Sequence, residues 1–187
     1  MGLDNVAVQW PRTGKFYEPV DPSEFADFIT FAEKAPPHAG PAAALATVIA
    51  RSATVHASAY TELVDLLLGL EGVLYATENS ASDEDPVIDP DGCEWLAGGL
   101  ERFVARHAAI GEIVTFESIT QVMQNTLREA RQAEKELRWL DSRLDALLDD
   151  HRNPPVWNFS LLELDVLARF YRRCAERGFA VYADDGA

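Results

Sequence analysis

The fold turns on residues 116–150, FESITQVMQNTLREARQAEKELRWLDSRLDALLDD, thirty-five residues with neither glycine nor proline. Apolar or small side chains recur at Ile119, Val122, Thr126, Ala130, Ala133, Leu137, Leu140, Leu144 and Leu147. Steps of three and four place them along one seam of a helix. Two successive four-residue steps around Ala130 break a strict heptad, so no long supercoil is specified. Among the charged residues between them, Glu134 with Arg138 supports the helix and Asp141 with Asp145 opposes it, each by about 0.3 kcal/mol. Helix formation therefore depends on burying the seam.

At about 1.5 Å per residue this helix is about 50 Å long, longer than a compact domain of this size is wide. It projects, pairs with a second copy, or bends where Ala130 and Ala133 thin the seam beside Gln132. Leu137, Leu140 and Leu144, with Trp139 beside them, are the candidate interaction residues. An exposed tryptophan there would anchor an interface.

Working outward, the 187 residues are enough for one domain, 1–187, with a sizeable core. Hydrophobic residues at 48% and charged residues at 25% are ordinary globular values. The formal net charge of −15 is not. It argues against binding nucleic acid, whose phosphates need clustered cations. A protein partner, and a basic one in particular, or a homodimer suits it better. Lysine occurs only at Lys15, Lys34 and Lys135, while arginine and alanine are frequent, a balance expected of a GC-rich bacterial source. No signal-peptide layout and no membrane-spanning apolar run is present, so a cytoplasmic protein without membrane attachment is expected. Cys93 and Cys174 read as free thiols.

At the N-terminus, Val6, Val8 and Trp10 alternate as a strand that Pro11 ends. Pro22-Ser23 opens a short helix with Phe25, Phe28, Ile29 and Ala32 on one face, closed by Ala35-Pro36-Pro37. From Ala42 to about Leu70 the pattern predicts helix, with Val55, Ala59, Leu63, Leu66, Leu67 and Leu70 in one stripe. Residues 77–92 hold Asp83, Glu84, Asp85, Asp89 and Asp91 with two prolines and read as an acidic loop. A helix from Cys93 to His107 follows, burying Leu96, Leu100, Phe103 and Val104. Ser160, with Glu163 three residues on, predicts a capping box for a last helix, and Gly178 its C-terminal cap. Phe179–Tyr182 then alternates as a strand that invites pairing with the first. The expectation is a mainly α fold: a helical bundle with one long helix and a small β ribbon formed by the N- and C-terminal strands.

The opening Met1-Gly2-Leu3-Asp4-Asn5-Val6, the segment from Tyr60 to Leu74-Tyr75 and the closing run from Phe170 through Gly178-Phe179 together resemble a group of uncharacterised bacterial proteins. The resemblance covers about a third of the chain and implies the fold and no activity. In that group a basic Arg-Gly-Lys run precedes the tyrosine, where His56-Ala57-Ser58-Ala59 stands here.

Aligning Gly92 with the glycine of an EF-hand puts Asp89 and Asp91 in ligand positions, but Val87 and Gly98 fall where Asp and Glu are needed. His38, His56, His107 and His151 form no pair at helical metal spacing. No nucleophile elbow and no phosphate loop is present. These readings predict no catalytic residue, no cofactor and no metal ligand. The expected function is a non-catalytic acidic interaction protein that self-associates or docks a partner through the long helix. The rival is an enzyme or a small-molecule or metal binder. Its pocket would lie near His56, Tyr60 and Glu62, because positions 56 and 60 share a face if this stretch is helical.

Overall fold

A computed structural model describes residues 4–56, 60, 63–64, 66–67, 87–133, 145–146, 149 and 157–184. The fold is mainly helical with small antiparallel sheets. The candidate residues Glu62, Leu137, Trp139, Leu140 and Leu144, and acidic positions 77–86, lie outside the described residues.

Strand β1 (Asp4–Val8) pairs antiparallel with β6 (Ala180–Asp184), Val6 opposite Tyr182 and Ala7 opposite Val181. The two segments expected to meet do so, within a wider sheet. Strand β2 (Thr54–His56) joins the other edge of β1, and β3 (Val87–Ile88) joins β6, giving the order β2-β1-β6-β3. Alternation sends Ala7, Val55 and Val181 into the core and leaves Val6, Val87 and Tyr182 half-buried on the outer face. The strand stops at Val8, short of Trp10. Beyond it, Gln9 N–H donates to the Glu18 carbonyl at 2.8 Å and Val8 bridges to Pro19, so residues 10–17 form a closed loop.

Residues Pro22–Phe25 make a 3-10 turn capped by Asp21, and α1 spans Phe28–Lys34. Phe25 and Phe28 are buried, but Ile29 is exposed. The 3-10 turn and the bend at residues 26–27 shift the helical phase, so the face expected from Phe25 does not carry through to Ile29.

Helix α2 (Gly40–Ser52) buries Ala42, Leu45, Ala46 and Ile49. It ends at Ala53, which takes a left-handed conformation with φ 51°. The helix expected to run from Ala42 to Leu70 is therefore interrupted, and Val55 and His56 belong to β2. β-Branched Thr54 and Val55 suit a strand, and Ala7 N–H donates to the Ala53 carbonyl at 3.0 Å. The pairing with β1 offsets about 1–2 kcal/mol for a non-glycine residue in this region. Leu63, Leu66 and Leu67 are helical and buried, as their spacing suggested.

Helix α3 (Pro90–His107) begins three residues before the expected Cys93. Asp89 is its cap, accepting from Gly92 N–H at 2.8 Å, and Pro90 is its first residue. The last six positions of the supposed acidic loop are thus strand, cap and helix. A side chain at Gly92 would sit 2.9 Å from the Ile88 side chain, so the tight turn from β3 into α3 requires glycine. The buried face comprises Cys93, Leu96, Ala97, Leu100, Phe103 and His107, with Val104 half-buried.

Helix α4 is described over Phe116–Ala133 and buries Ile119, Val122, Met123, Thr126 and Leu127. A short ribbon precedes it: β4 (Ile113–Val114) pairs with β5 (Phe159–Ser160). Helix α5 (Leu161–Arg177) starts at the expected capping box and ends at Gly178, left-handed with φ 69°. It packs along α3 and against α2, and its Leu164, Leu167, Phe170, Tyr171 and Cys174 lie in one buried cluster with the inward side chains of the sheet. Among the described residues, no helix is long and apolar enough to cross a membrane.

Candidate functional site

The proposed His56–Tyr60 face does not exist as a helix face. His56 lies exposed on edge strand β2, its Nδ1 2.7 Å from Asp4 Oδ1 on β1. Tyr60 turns inward and donates its hydroxyl to Glu163 Oε1 at 3.0 Å. The other oxygen of Glu163 accepts from Ser160 N–H at 2.6 Å, and Ser160 Oγ accepts from Glu163 N–H. The capping box of α5 is therefore extended by a tyrosine, whose ring also packs on Phe159. Burial, and then the adjacent carboxylate, push the Tyr60 hydroxyl well above its ordinary pKa. It acts as a neutral donor holding its segment to α5.

A second polar cluster involves His107, which is fully buried. Its Nδ1 lies 3.0 Å from the Gly111 carbonyl and its Nε2 2.7 Å from Ser118 Oγ. The carbonyl can only accept, which puts a proton on Nδ1, and the Ser118 hydroxyl is within reach of both His107 Nε2 and the Thr115 carbonyl, to which it donates at 2.9 Å. Ser118 Oγ also accepts from Thr115 N–H at 2.8 Å, while Ser118 N–H donates to Thr115 Oγ1 at 3.2 Å. This reciprocal pair caps α4, with serine in the place usually held by Glu. The serine–histidine contact ties the end of α3 to the start of α4.

Between α1 and α5 lies a shallow groove of about 250 Å³, lined by Asp27, Phe28, Phe31, Arg169, Arg172, Arg173 and Glu176. Three arginines would suit an anion, yet each meets a carboxylate. Arg173 grips both oxygens of Asp27 at 3.0 and 2.7 Å and donates to the Glu24 carbonyl at 2.6 Å. Arg172 holds Glu101 at 2.9 and 2.6 Å and also pairs with Glu94. Arg169 Nε donates to Asp165 at 2.9 Å. Hydrogen bonds from Arg173 and Arg172 hold the Asp27 and Glu101 carboxyls below their ordinary pKa values, against a smaller opposing effect of burial. The groove is a charge-compensated clasp joining α1, α3 and α5.

The chain matches no protein-family model, no curated protein and no solved structure.

Cys93 and Cys174 are buried free thiols. Among the described residues, no three His, Cys, Asp or Glu side chains gather to hold a metal ion.

A surface missed in the sequence pattern is the loop 10–17, Trp-Pro-Arg-Thr-Gly-Lys-Phe-Tyr. Trp10 stacks on Tyr17 with ring centroids 6.5 Å apart, and Tyr17 on Tyr182 of β6 at 5.4 Å. Arg12 lies over Tyr17 at 5.2 Å and Lys15 over Phe16 at 5.4 Å. Phe16 remains 75% exposed and Trp10 40%. The legible signal was composition: three aromatics and two cations with no carboxylate, inside a chain of net charge −15.

Proposed function

We propose that the protein is a non-catalytic interaction protein that self-associates or docks a partner through the long helix 116–150. The observation that carries this reading is the one-sided burial of α4. Ile119, Val122, Met123, Thr126 and Leu127 are held in the core, while Glu117, Gln121, Gln124, Arg128, Glu129 and Gln132 are exposed. Thr126 is further pinned by Arg106, whose Nη1 donates to its hydroxyl at 2.8 Å. Beyond Ala133 the sequence carries the same apolar spacing on through Leu137, Leu140 and Leu144, with Trp139 beside them. The net charge of −15 favours a cationic surface on any different partner.

Light scattering and cross-linking over a micromolar concentration series test the self-association. The expected result is a mass that rises with concentration and falls back on Leu140→Asp with Leu144→Asp, while the circular dichroism of the fold is kept. A wild-type chain that stays monomeric and captures no basic protein counts against the proposal. So does association that is indifferent to those substitutions.

A further inference from the structure

Among the described residues, the large exposed apolar side chains are Trp10, Phe16, Ile29 and Ile113. Ile29 and Ile113 stand singly, and isolated exposed apolar side chains are ordinary on a protein surface. Trp10 and Phe16 share one loop, and between them lie Arg12 and Lys15 with no carboxylate. Among the described residues no carboxylate pairs with either cation, and each lies over an aromatic ring of its own loop. Two such cations around an exposed phenylalanine call for an anionic counterpart that also takes apolar side chains.

We propose that the Trp10–Tyr17 loop docks on an anionic lipid surface, with Phe16 entering beneath the headgroups and Arg12 and Lys15 at the level of the phosphates. The loop is held in shape beforehand. It is closed at its base by the Gln9–Glu18 hydrogen bond and braced against β6 by the Trp10–Tyr17–Tyr182 stack. Such preorganisation lowers the ordering entropy that docking must overcome. Exposure is graded along the loop: Phe16 is 75% exposed, Trp10 40%, and Tyr17 and Tyr182 are half-buried. Lys15 Nζ stands 5.4 Å from the Phe16 ring centroid. That spacing fits a cation among phosphates and a ring in the layer below, since interfacial apolar groups sit about 5–10 Å deep. Trp10 suits the headgroup level itself, where tryptophan is enriched.

Shape and charge favour lipid over other anions. A closed loop with its phenylalanine open to solvent is a protrusion, whereas an acidic peptide is held by a groove or a strand edge. A nucleic-acid strand stacks its bases on open ring faces. Here Tyr17 already stacks on Trp10 and Tyr182, and Lys15 covers a face of Phe16. The acidic body does not forbid the contact, because at physiological salt charge interactions fade over about 8 Å. The contact belongs to the loop alone, so it is weak and reversible. A surface contact of this kind needs no membrane-spanning run. It also stands apart from the long-helix proposal, because it uses a different surface.

Co-sedimentation of the full chain with vesicles, of phosphatidylcholine alone and of phosphatidylcholine with phosphatidylserine, tests it. Wild type should pellet with the phosphatidylserine vesicles at low salt, less at physiological salt, and not with phosphatidylcholine alone. Phe16→Asp should weaken binding about tenfold or more. Arg12→Gln with Lys15→Gln should weaken it about thirtyfold, and both variants should keep their thermal stability. Arg12→Lys with Lys15→Arg, which preserves the charge, should bind as wild type does. No pelleting with phosphatidylserine vesicles, or binding indifferent to Phe16→Asp, overturns the proposal. Binding that survives Phe16→Asp but is lost on Leu140→Asp with Leu144→Asp overturns it too, and assigns the lipid contact to the long helix. Phe16-dependent binding to polyglutamate or to a single-stranded oligonucleotide, without vesicle binding, would assign the loop to an acidic protein or a nucleic acid and equally overturn it.

Discussion

The α1–α5 clasp and the Trp10–Tyr17 loop use the same pair of groups to opposite ends. In the clasp, Arg169 lies over Phe31 at 5.7 Å and Arg173 over Phe28 at 5.9 Å. In the loop, Arg12 and Lys15 lie over Tyr17 and Phe16 at similar separations. The difference is the carboxylates. Arg173 is only 22% exposed and its donors meet Asp27 and the Glu24 carbonyl. The loop has no acidic residue between Gln9 and Tyr17. A cation on an aromatic ring, once neutralised, joins helices; in the loop, with no carboxylate in its own segment, it leaves Phe16 open to solvent.

Breaking the clasp should give the largest effect. Arg173→Ala leaves Asp27 and the Glu24 carbonyl without their donor. Charge-assisted bonds of this kind set a loss of about 1–2 kcal/mol, after discounting for the solvent that reaches Asp27. Urea denaturation measures it. Tyr60→Phe should cost about 1 kcal/mol, because Glu163 loses one of its donors but keeps Ser160 N–H. The same titration reads this change.

Acid should sharpen the contrast next. Asp27 and Glu101 have folded pKa values below their ordinary ones. Their contribution to stability is therefore fully present above the ordinary carboxylate range and is lost as pH falls through the lowered values. Denaturation midpoints below about pH 4.5 should drop for wild type and drop less for Arg173→Ala, which has already lost the Asp27 part. The smallest effect belongs to the loop. Arg12→Ala should change stability by less than about 0.5 kcal/mol, as expected of a substitution at a solvent-facing site. A large loss there would mean that the loop braces the fold as the clasp does.

What the sequence revealed followed from local chemistry. The Ser160–Glu163 box and the Gly178 cap are decided within a few residues, and the β1 and β6 alternation within five. The end of α2 was hidden because Ala53 has no turn propensity of its own. Pairing of β2 with β1, some fifty residues earlier in the chain, fixes it there. The same distant pairing moved His56 off the face it was expected to share with Tyr60. Glu163 was recognised as a cap, yet its second role for Tyr60 spans 103 residues and leaves no local trace. Residues 87–92 were read as loop from composition, when their strand and cap chemistry decides them.

The order β2-β1-β6-β3 joins residues 54–56, 4–8, 180–184 and 87–88, and no two neighbours in it are linked by a hairpin turn. Every edge of that sheet must be found across a long excursion of chain, which makes it a poor starting point for folding. Packing of α3 on α5 brings the ends of β3 and β6 near one another, since each strand directly adjoins its helix. The sheet is thus a seam that zips after the helices have met, and a refolding chain should gain its helical signal before its strands are protected from solvent exchange.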